Sequence, residues 1–439
     1  MESVSQIIHA RWLITGEQNN QTLENHAIVI DQGKIKAILP SKQATERYTA
    51  TDIQRFPNHV ISPGFVNTHT HIAMNYFRGL ADDLALMDWL NHHIWPAERT
   101  WVSQEFVRDA SQLAIAEMIR SGTTCFNDMY FFLQATAEVA DQAGIRANIG
   151  MTVIDFPTAW AKDTAEYFSK GIEFYSEYKN HDRIKATVAP HAIYTVAEPT
   201  LLKVKEIAEK YDLKINMHVH ETADEINQSI ATTKQRPLRR LQNIGLVTPR
   251  LIAIHMTQLD DEDMAIIEAG KPNIVHCPES NMKLASGACP VVALQKQGLN
   301  VALGTDGAAS NNDLNMLGEM RSANFLAKLV TQNPIALPAH ETITMATLNG
   351  AKALGLDHIT GSLTVGKAAD FIATKLDEIE TLPIYHPASH LVYAASRNQV
   401  TDVWVAGKQL MKKRKLLTLD EKEIKAKAIY WSKKLTKNA

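Results

Sequence analysis

Seventeen histidines stand out in this chain of 439 residues, several of them paired or placed at the ends of β-rich runs. His69-Thr70-His71 closes a run that begins near Val60, and His218-Val219-His220-Glu221 closes one that begins near Lys214. His191, His255, His276 and Asp306 stand at the ends of four further runs. Residues two apart on a strand project to one face, so His69 and His71 can reach a single cation together. Neutral imidazoles suit zinc, and also divalent iron or nickel, and a carboxylate such as Asp306 completes a ligand set. A lone His-x-His pair is as readily an accident of surface or core. His218 and Asp306, at two further strand ends, turn the reading towards a metal site. His218 and His220 are also two apart, so parity nominates both, and Glu221 falls on the opposite face unless the strand end twists. Spacing alone leaves that choice open.

Such side chains need strands to gather them. Eight short β-rich runs, at 60–71, 123–129, 146–153, 184–191, 214–221, 251–255, 273–277 and 301–306, alternate with longer amphipathic stretches such as 106–119 and 200–211. Strands alternating with helices give an α/β chain with a parallel sheet. Eight repeats predict a (β/α)₈ TIM-type barrel, whose strands end at one mouth where active sites are built. The ends of the chain differ. Ala27-Ile28-Val29-Ile30, a turn through Gly33, and Ile35-Lys36-Ala37-Ile38 read as a hairpin, and Ala368–Ala373 and Val403–Lys408 echo it. They predict a small β-sandwich domain built from both termini. The expected division is 1–60 for its first part, 61–360 for the barrel, and 361–439 for its second part and a terminal helix.

Composition narrows the function classes. The chain is 45% hydrophobic and 21% charged, with 45 Lys+Arg against 48 Asp+Glu. A net charge of −3 gives no basic footprint for nucleic acid or anionic lipid. No stretch has the length and purity of a membrane span. Glu2, His9 and Arg11 interrupt the apolar start, which is unlike a secretory signal. Cys125, Cys277 and Cys289 are odd in number and far apart. They fit a reducing cytoplasm and exclude a disulfide framework or the paired-cysteine zinc site of cytidine deaminases.

Pro63-Gly64-Phe65-Val66-Asn67-Thr68-His69-Thr70-His71 resembles the first-strand motif of the amidohydrolase superfamily. His218-Val219-His220-Glu221, His255 and Gly304-Thr305-Asp306-Gly307 resemble its fifth-, sixth- and eighth-strand signatures in order. Within it, Met87-Asp88-Trp89-Leu90, Pro96-Ala97-Glu98, Pro190-His191, Pro278-Glu279-Ser280-Asn281-Met282-Lys283-Leu284 and Thr305–Asn312 are similar to the 5-methylthioadenosine/S-adenosylhomocysteine deaminases. The likeness covers essentially the whole chain. It implies that the fifth-strand ligand is His218, with His220 packed behind. It also implies one divalent ion per chain on His69, His71, His218 and Asp306: zinc first, with iron, nickel or manganese as alternatives. No lysine ends the fourth run, where two-metal relatives carry their bridge.

The implied reaction is hydrolytic attack at purine C6 of an adenosine derivative, with loss of ammonia. Asp306 takes a proton from the attacking water, His255 steadies that water and the developing charge, and Glu221 carries a proton to the ring nitrogen. Glu98 is implied to bind the ribose hydroxyls and His191 to contact the nucleoside, with Glu221 and Asp306 also touching substrate. Some relatives hold the amino-acid carboxylate of S-adenosylhomocysteine with arginines after the third strand; residues 150–157 contain none. That favours 5-methylthioadenosine or adenosine. The alternative keeps the machinery but acts on guanine, another aminopurine or a triazine, as a deaminase or chlorohydrolase. A non-catalytic barrel would lack a ligand or the shuttle acid, and all are present. Analogy implies a homo-oligomer, dimeric or larger. Trp89 and Leu90 read as pocket wall or plain core. His92-His93, His276 and Cys277 read as ordinary packing or surface. Lys412-Lys413-Arg414-Lys415 and 422–437 read as a solvated amphipathic helix.

Overall fold

The computed structural model describes residues 1–17 and 21–436. The chain opens with strands β1 (Glu2–Ile14), β2 (Thr22–Asp31), β3 (Lys34–Pro40) and β4 (Tyr48–Pro63). Residues 48–55 of β4 alternate half-buried with exposed, as a strand with one wet face must. Eight parallel strands follow: β5 (Phe65–Thr70), β6 (Thr123–Asp128), β7 (Arg146–Val153), β8 (Ile184–Pro190), β9 (Ile215–Val219), β10 (Leu251–His255), β11 (Asn273–His276) and β12 (Val301–Leu303). These are the eight runs expected from sequence, and nearly every residue in them is buried, because helices outside and packed side chains inside cover both faces. Strands β13 (Phe371–Lys375), β14 (Val400–Val405), β15 (Lys408–Lys412) and β16 (Lys415–Leu416) then return to the first sheet. Its order is β16-β15-β14-β13-β4-β1-β2-β3, so both chain ends build one mixed layer. The sheet doubles back on itself. Ala369 N–H donates to Gly33 O at 2.9 Å, and Ile8, Leu13, Ile28, Phe371 and Trp404 share one apolar cluster.

Two details position the mouth. The helix Gln104–Ser121 starts where the Ser103 side chain accepts from Phe106 N, and ends at Gly122 with φ 95°. A Cβ there would lie 2.9 Å from Ile372 Cδ1, so only glycine lets the chain turn straight into β6 against the terminal sheet. The barrel seam is unusual too. β12 and β5 share no ladder; Thr305 N–H donates to Asn67 Oδ1 and Asp306 N–H to His69 O, both at 3.0 Å. The last barrel strand therefore reaches the first through the residues that carry the chemistry.

Barrel and terminal sheet are tied by a buried ion pair. Arg146, at the start of β7, grips Asp370 through Nε at 2.6 Å and Nη2 at 3.2 Å. Asp370 Oδ1 also accepts from Ala406 N at 2.6 Å, so the pair's remaining capacity is used. The basic run expected in a helix departs from expectation. Only Glu421–Thr436 is helical, and Lys437 lies outside the described residues. Lys412 to Lys415 form the tight β15–β16 turn, where Arg414 donates to the carbonyls of Arg397 (2.8 Å) and Val400 (2.9 Å) and also to that of Arg120. Charge patterning had concealed a turn built to saturate three backbone oxygens.

Candidate metal and active site

Three imidazoles and one carboxylate converge at the C-terminal mouth of the barrel. His218 Nε2 lies 3.2 Å from His69 Nε2 and 3.3 Å from His71 Nε2. Asp306 Oδ1 lies 3.3 Å from Nε2 of both His69 and His71. One donor atom from each of the four falls within 4.8 Å of the others. The far ring nitrogens fix the tautomers. His71 Nδ1 donates to Met129 O and His218 Nδ1 to His191 O, each at 2.7 Å. Burial lowers the His69 pKa to about 4 and also pushes His71 and His218 down, so these rings are neutral. His71 and His218, neutral and protonated at Nδ1, turn Nε2 lone pairs towards each other, which repel unless a cation lies between them. The donor set therefore fits a single divalent ion. Against the cost of burial, the hydrogen bond to His69 and the nearby imidazoles hold the Asp306 carboxyl well below its usual range.

Local backbone explains how these side chains meet. His69 and His71 lie at the end of β5 on one face, as period-two spacing requires. Asp306 lies beyond β12 in left-handed backbone, φ 63°, which swings its carboxylate back over the mouth. Ser280 Oγ (2.7 Å) and Ser310 Oγ (2.8 Å) donate to Oδ2, leaving Oδ1 for the cluster. His220 resolves the parity problem. The strand stops at Val219 and His220 takes φ 54°, so alternation breaks there. Both its nitrogens are used: Nδ1 donates to Gln258 O at 2.9 Å and Nε2 accepts from Leu238 N at 3.0 Å. It is a packing histidine, and the same turn delivers Glu221 to the mouth.

Glu221 and His255 face each other beside the cluster, with Oε1 to Nε2 at 3.8 Å. Burial raises the Glu221 pKa, opposed by His255 and aided by Asp306. The carboxylate of Glu225 accepts from the backbone N–H groups of His220 (3.1 Å) and Glu221 (2.7 Å), pinning this turn. His255 Nδ1 donates to Asn281 Oδ1 at 2.8 Å, which turns Nε2 towards the pocket. Left-handed backbone at His220, His255 (φ 75°) and Asp306 stores about 1–3 kcal/mol at each, strain gathered where the chemistry is.

Glu98 and His191 complete the pocket. Glu98, on the helix Trp95–Trp101, accepts from Tyr130 Oη at 2.7 Å. His191 Nδ1 meets Thr195 Oγ1 at 2.9 Å. Thr195 already gives its hydrogen to Ala192 O, so it accepts from His191, whose Nε2 is left as an acceptor for a ligand. Leu86, Trp89, Leu90, Trp95, Phe131 and Ile154 form an apolar wall, so Trp89 and Leu90 are pocket residues. No lysine or arginine lines this pocket among the described residues. His92 and His93 are exposed, and His276 lies behind Asn281, so neither takes part.

Burial raises the Glu98 pKa from 4.5 to about 7, opposed by the Tyr130 hydrogen bond. Between those values the unfolded chain loses this proton and the folded one keeps it. Stability therefore falls as pH rises through that window. Glu98→Gln keeps the acceptor for Tyr130 but cannot ionise. It is expected to leave stability unchanged near pH 4 and to add up to about 3 kcal/mol near pH 8. Denaturant midpoints of both proteins at the two pH values measure this.

All eight residues proposed from sequence, His69, His71, Glu98, His191, His218, Glu221, His255 and Asp306, line this mouth or its ligand cluster. Tyr130, Glu225 and the Asn281 contact were not foreseen. Asn281 and Ser280 lie within a motif visible in sequence, but nothing in the sequence assigns their contacts.

The sequence pattern of the Amidohydrolase family matches residues 60–410. A 5-methylthioadenosine/S-adenosylhomocysteine deaminase of Saccharophagus degradans is 46% identical, over 98% of this chain and 96% of its own. A 5'-deoxyadenosine deaminase of Methanosarcina acetivorans is 40% identical over 95% of each. The structure of an adenosine deaminase from Xanthomonas campestris with bound zinc is 45% identical, covers 99% of both chains and superposes with a TM-score of 0.98. Family pattern, fold and the ligand cluster at the barrel mouth agree, and the chain belongs to the amidohydrolase family.

Proposed function

We propose that this protein hydrolytically deaminates an adenosine derivative at purine C6, giving the inosine-type product and ammonia. One observation carries the reading: a three-histidine, one-aspartate cluster shares a pocket with a raised-pKa glutamate and a tautomer-fixed histidine. Similarity to deaminases of 5-methylthioadenosine, S-adenosylhomocysteine and 5'-deoxyadenosine supports the substrate class. Zinc bound in the Xanthomonas campestris structure supports zinc as the metal. The barrel of 61–360 is taken to carry the chemistry, with 1–60 and 361–439 bracing it.

His69, His71, His218 and Asp306 would hold a divalent ion, which when bound would supply an acidified water, its pKa lowered from 15.7 towards about 7. Asp306, clamped by Ser280 and Ser310, takes a proton from the attacking water. His255 accepts a hydrogen bond from that water through Nε2 and so holds it against C6. Glu221, whose pKa burial raises, carries one proton of the water to the adjacent ring nitrogen. The other proton, taken by Asp306, passes to the departing amino group, so ammonia leaves, C6 keeps the oxygen and both carboxyl groups return to their starting states. His191 Nε2 and the Glu98 carboxyl hold the nucleoside, Glu98 through the ribose hydroxyls.

Absorbance change and ammonia release on a nucleoside panel test this, with metal content measured on the same sample. Turnover of 5-methylthioadenosine, 5'-deoxyadenosine or adenosine is expected, ahead of S-adenosylhomocysteine, whose charged tail meets no cationic side chain in the pocket. Turnover of only guanine or a triazine would overturn the reading. Three buried free thiols support a reducing, cytoplasmic setting, and no helix among the described residues is long and apolar enough to cross a membrane. Exposed Phe325, Leu329 and Ile335 offer a surface for self-association as a dimer or larger.

A further inference from the structure

A second cleft, of about 850 Å³, lies at the other end of the barrel, where strands β7 to β10 begin. Its remaining walls come from the ends of helices Thr164–Tyr178 and Glu198–Tyr211. Lys179, Lys185, Lys205, Lys214 and Arg250 line it against two carboxylates, Glu209 and Asp212. Asp212 is paired with Arg250 at 2.6 Å and, with Asp357, partly offsets the charge of Lys214, which among the described residues leaves Lys179, Lys185 and Lys205 without an ion pair. Lys205 and Lys214 rest on the carbonyls of Ile244 (3.2 Å) and Pro249 (2.9 Å), and each keeps donors to spare. Lys179 and Lys185 form no ion pair among the described residues. Burial, then the charge of Arg250, lowers the Lys214 pKa, a cost that a bound anion would relieve.

The floor of the cleft is polar as well. Asn148 and Thr187, on neighbouring strands, are 2% and 1% exposed. Asn148 Oδ1 and Thr187 Oγ1 have no hydrogen-bond partner among the described residues. A buried polar atom without a partner costs about 1–3 kcal/mol, so such a pair marks a place where a ligand or its hydration belongs. Tyr175 and Tyr211, ring centroids 4.8 Å apart, give the cleft an aromatic wall.

We infer that this cleft binds a phosphate-bearing small molecule, with Lys185 and Lys214 on the phosphate oxygens, the Thr187 hydroxyl donating to them, and Asn148 accepting from a hydroxyl of the ligand. Several unneutralised cations in one concavity suit a multiply charged anion better than a lone carboxylate. The site is distinct from the metal cluster, because β9 starts beside Lys214 and ends past His218, placing the two at opposite strand ends.

Calorimetric titration of the full, metal-loaded chain with inorganic pyrophosphate and with ADP tests the assignment. Saturable binding that weakens with salt is expected, tighter for ADP if the tyrosine wall takes the base and equal for both if only phosphate is read. Lys185→Gln with Lys214→Gln is expected to weaken binding by about tenfold or more, leaving deaminase turnover unchanged. Lys214→Arg should retain binding, and excess inosine, the kind of product the nucleoside pocket would hold, should leave it untouched, which separates this site from that pocket. Absence of saturable binding for both probes at millimolar concentration overturns the inference. So does binding that the double lysine substitution leaves intact, or that excess inosine abolishes.

Discussion

Glu221→Gln is expected to lower turnover by about a thousandfold while the protein still carries its full complement of metal. The substitution keeps the volume of the side chain and disturbs none of the backbone contacts that hold the turn, since Glu225 binds main-chain N–H groups and Thr257 Oγ1 donates to the Glu221 carbonyl at 2.7 Å. Only the exchangeable proton is lost. An amide cannot carry a proton to the purine ring nitrogen. KM should change little against the fall in kcat, because the apolar wall, Glu98 and His191 are untouched. Steady-state kinetics with elemental analysis of the same preparation decide it. Near-normal kcat would remove Glu221 from the reaction, and loss of metal would make it a structural support instead.

Chelation should have the largest effect of all. Stripped protein is expected to lose turnover entirely and to recover it on adding zinc. A second readout does not depend on catalysis. Ion binding to the folded state alone stabilises by about 4 kcal/mol at a thousandfold excess over Kd, so the stripped protein should unfold at a clearly lower temperature. Removing the ion also leaves the Nε2 lone pairs of His71 and His218 opposed at 3.3 Å, an arrangement that must relax. Asp306→Asn should reproduce both losses and resist rescue by zinc, because the amide removes the one anionic ligand and can turn an N–H towards the cluster. A stripped protein with unchanged melting and activity would refute the assignment.

How legible this was in the sequence depended on how local each cause is. His69 and His71 could be paired from spacing because they sit on a regular strand, where alternation holds to the end. His218 and His220 could not be separated by the same rule, because the rule fails at Val219, one residue too early, and left-handed backbone follows. Resemblance supplied His218, and the hydrogen bonds to Gln258 and Leu238 supply the reason. Glu98 lies on a helix between β5 and β6, where no strand periodicity points to the mouth. Tyr130, Asn281 and Glu225 are ordinary residue types whose roles exist only once distant segments meet. The terminal hairpins were visible as alternating runs; their merger into one doubled sheet depends on long-range pairing such as β1 with β4. Arg414 looked like one more cation in a basic run because its partners are main-chain carbonyls, which carry no sequence signature.

The missing ladder between β12 and β5 has a consequence for how the enzyme matures. With Asp306 N–H on His69 O as the backbone bond across that junction, an ion held by these two residues works as a clasp on the cylinder. A nascent chain can present the first two imidazoles early, but it cannot assemble the full set of ligands until the segment bearing Asp306 has emerged and wrapped round to meet them. Capture of the ion and circular closure are then one event, and opening that gap is the natural route by which the ion escapes.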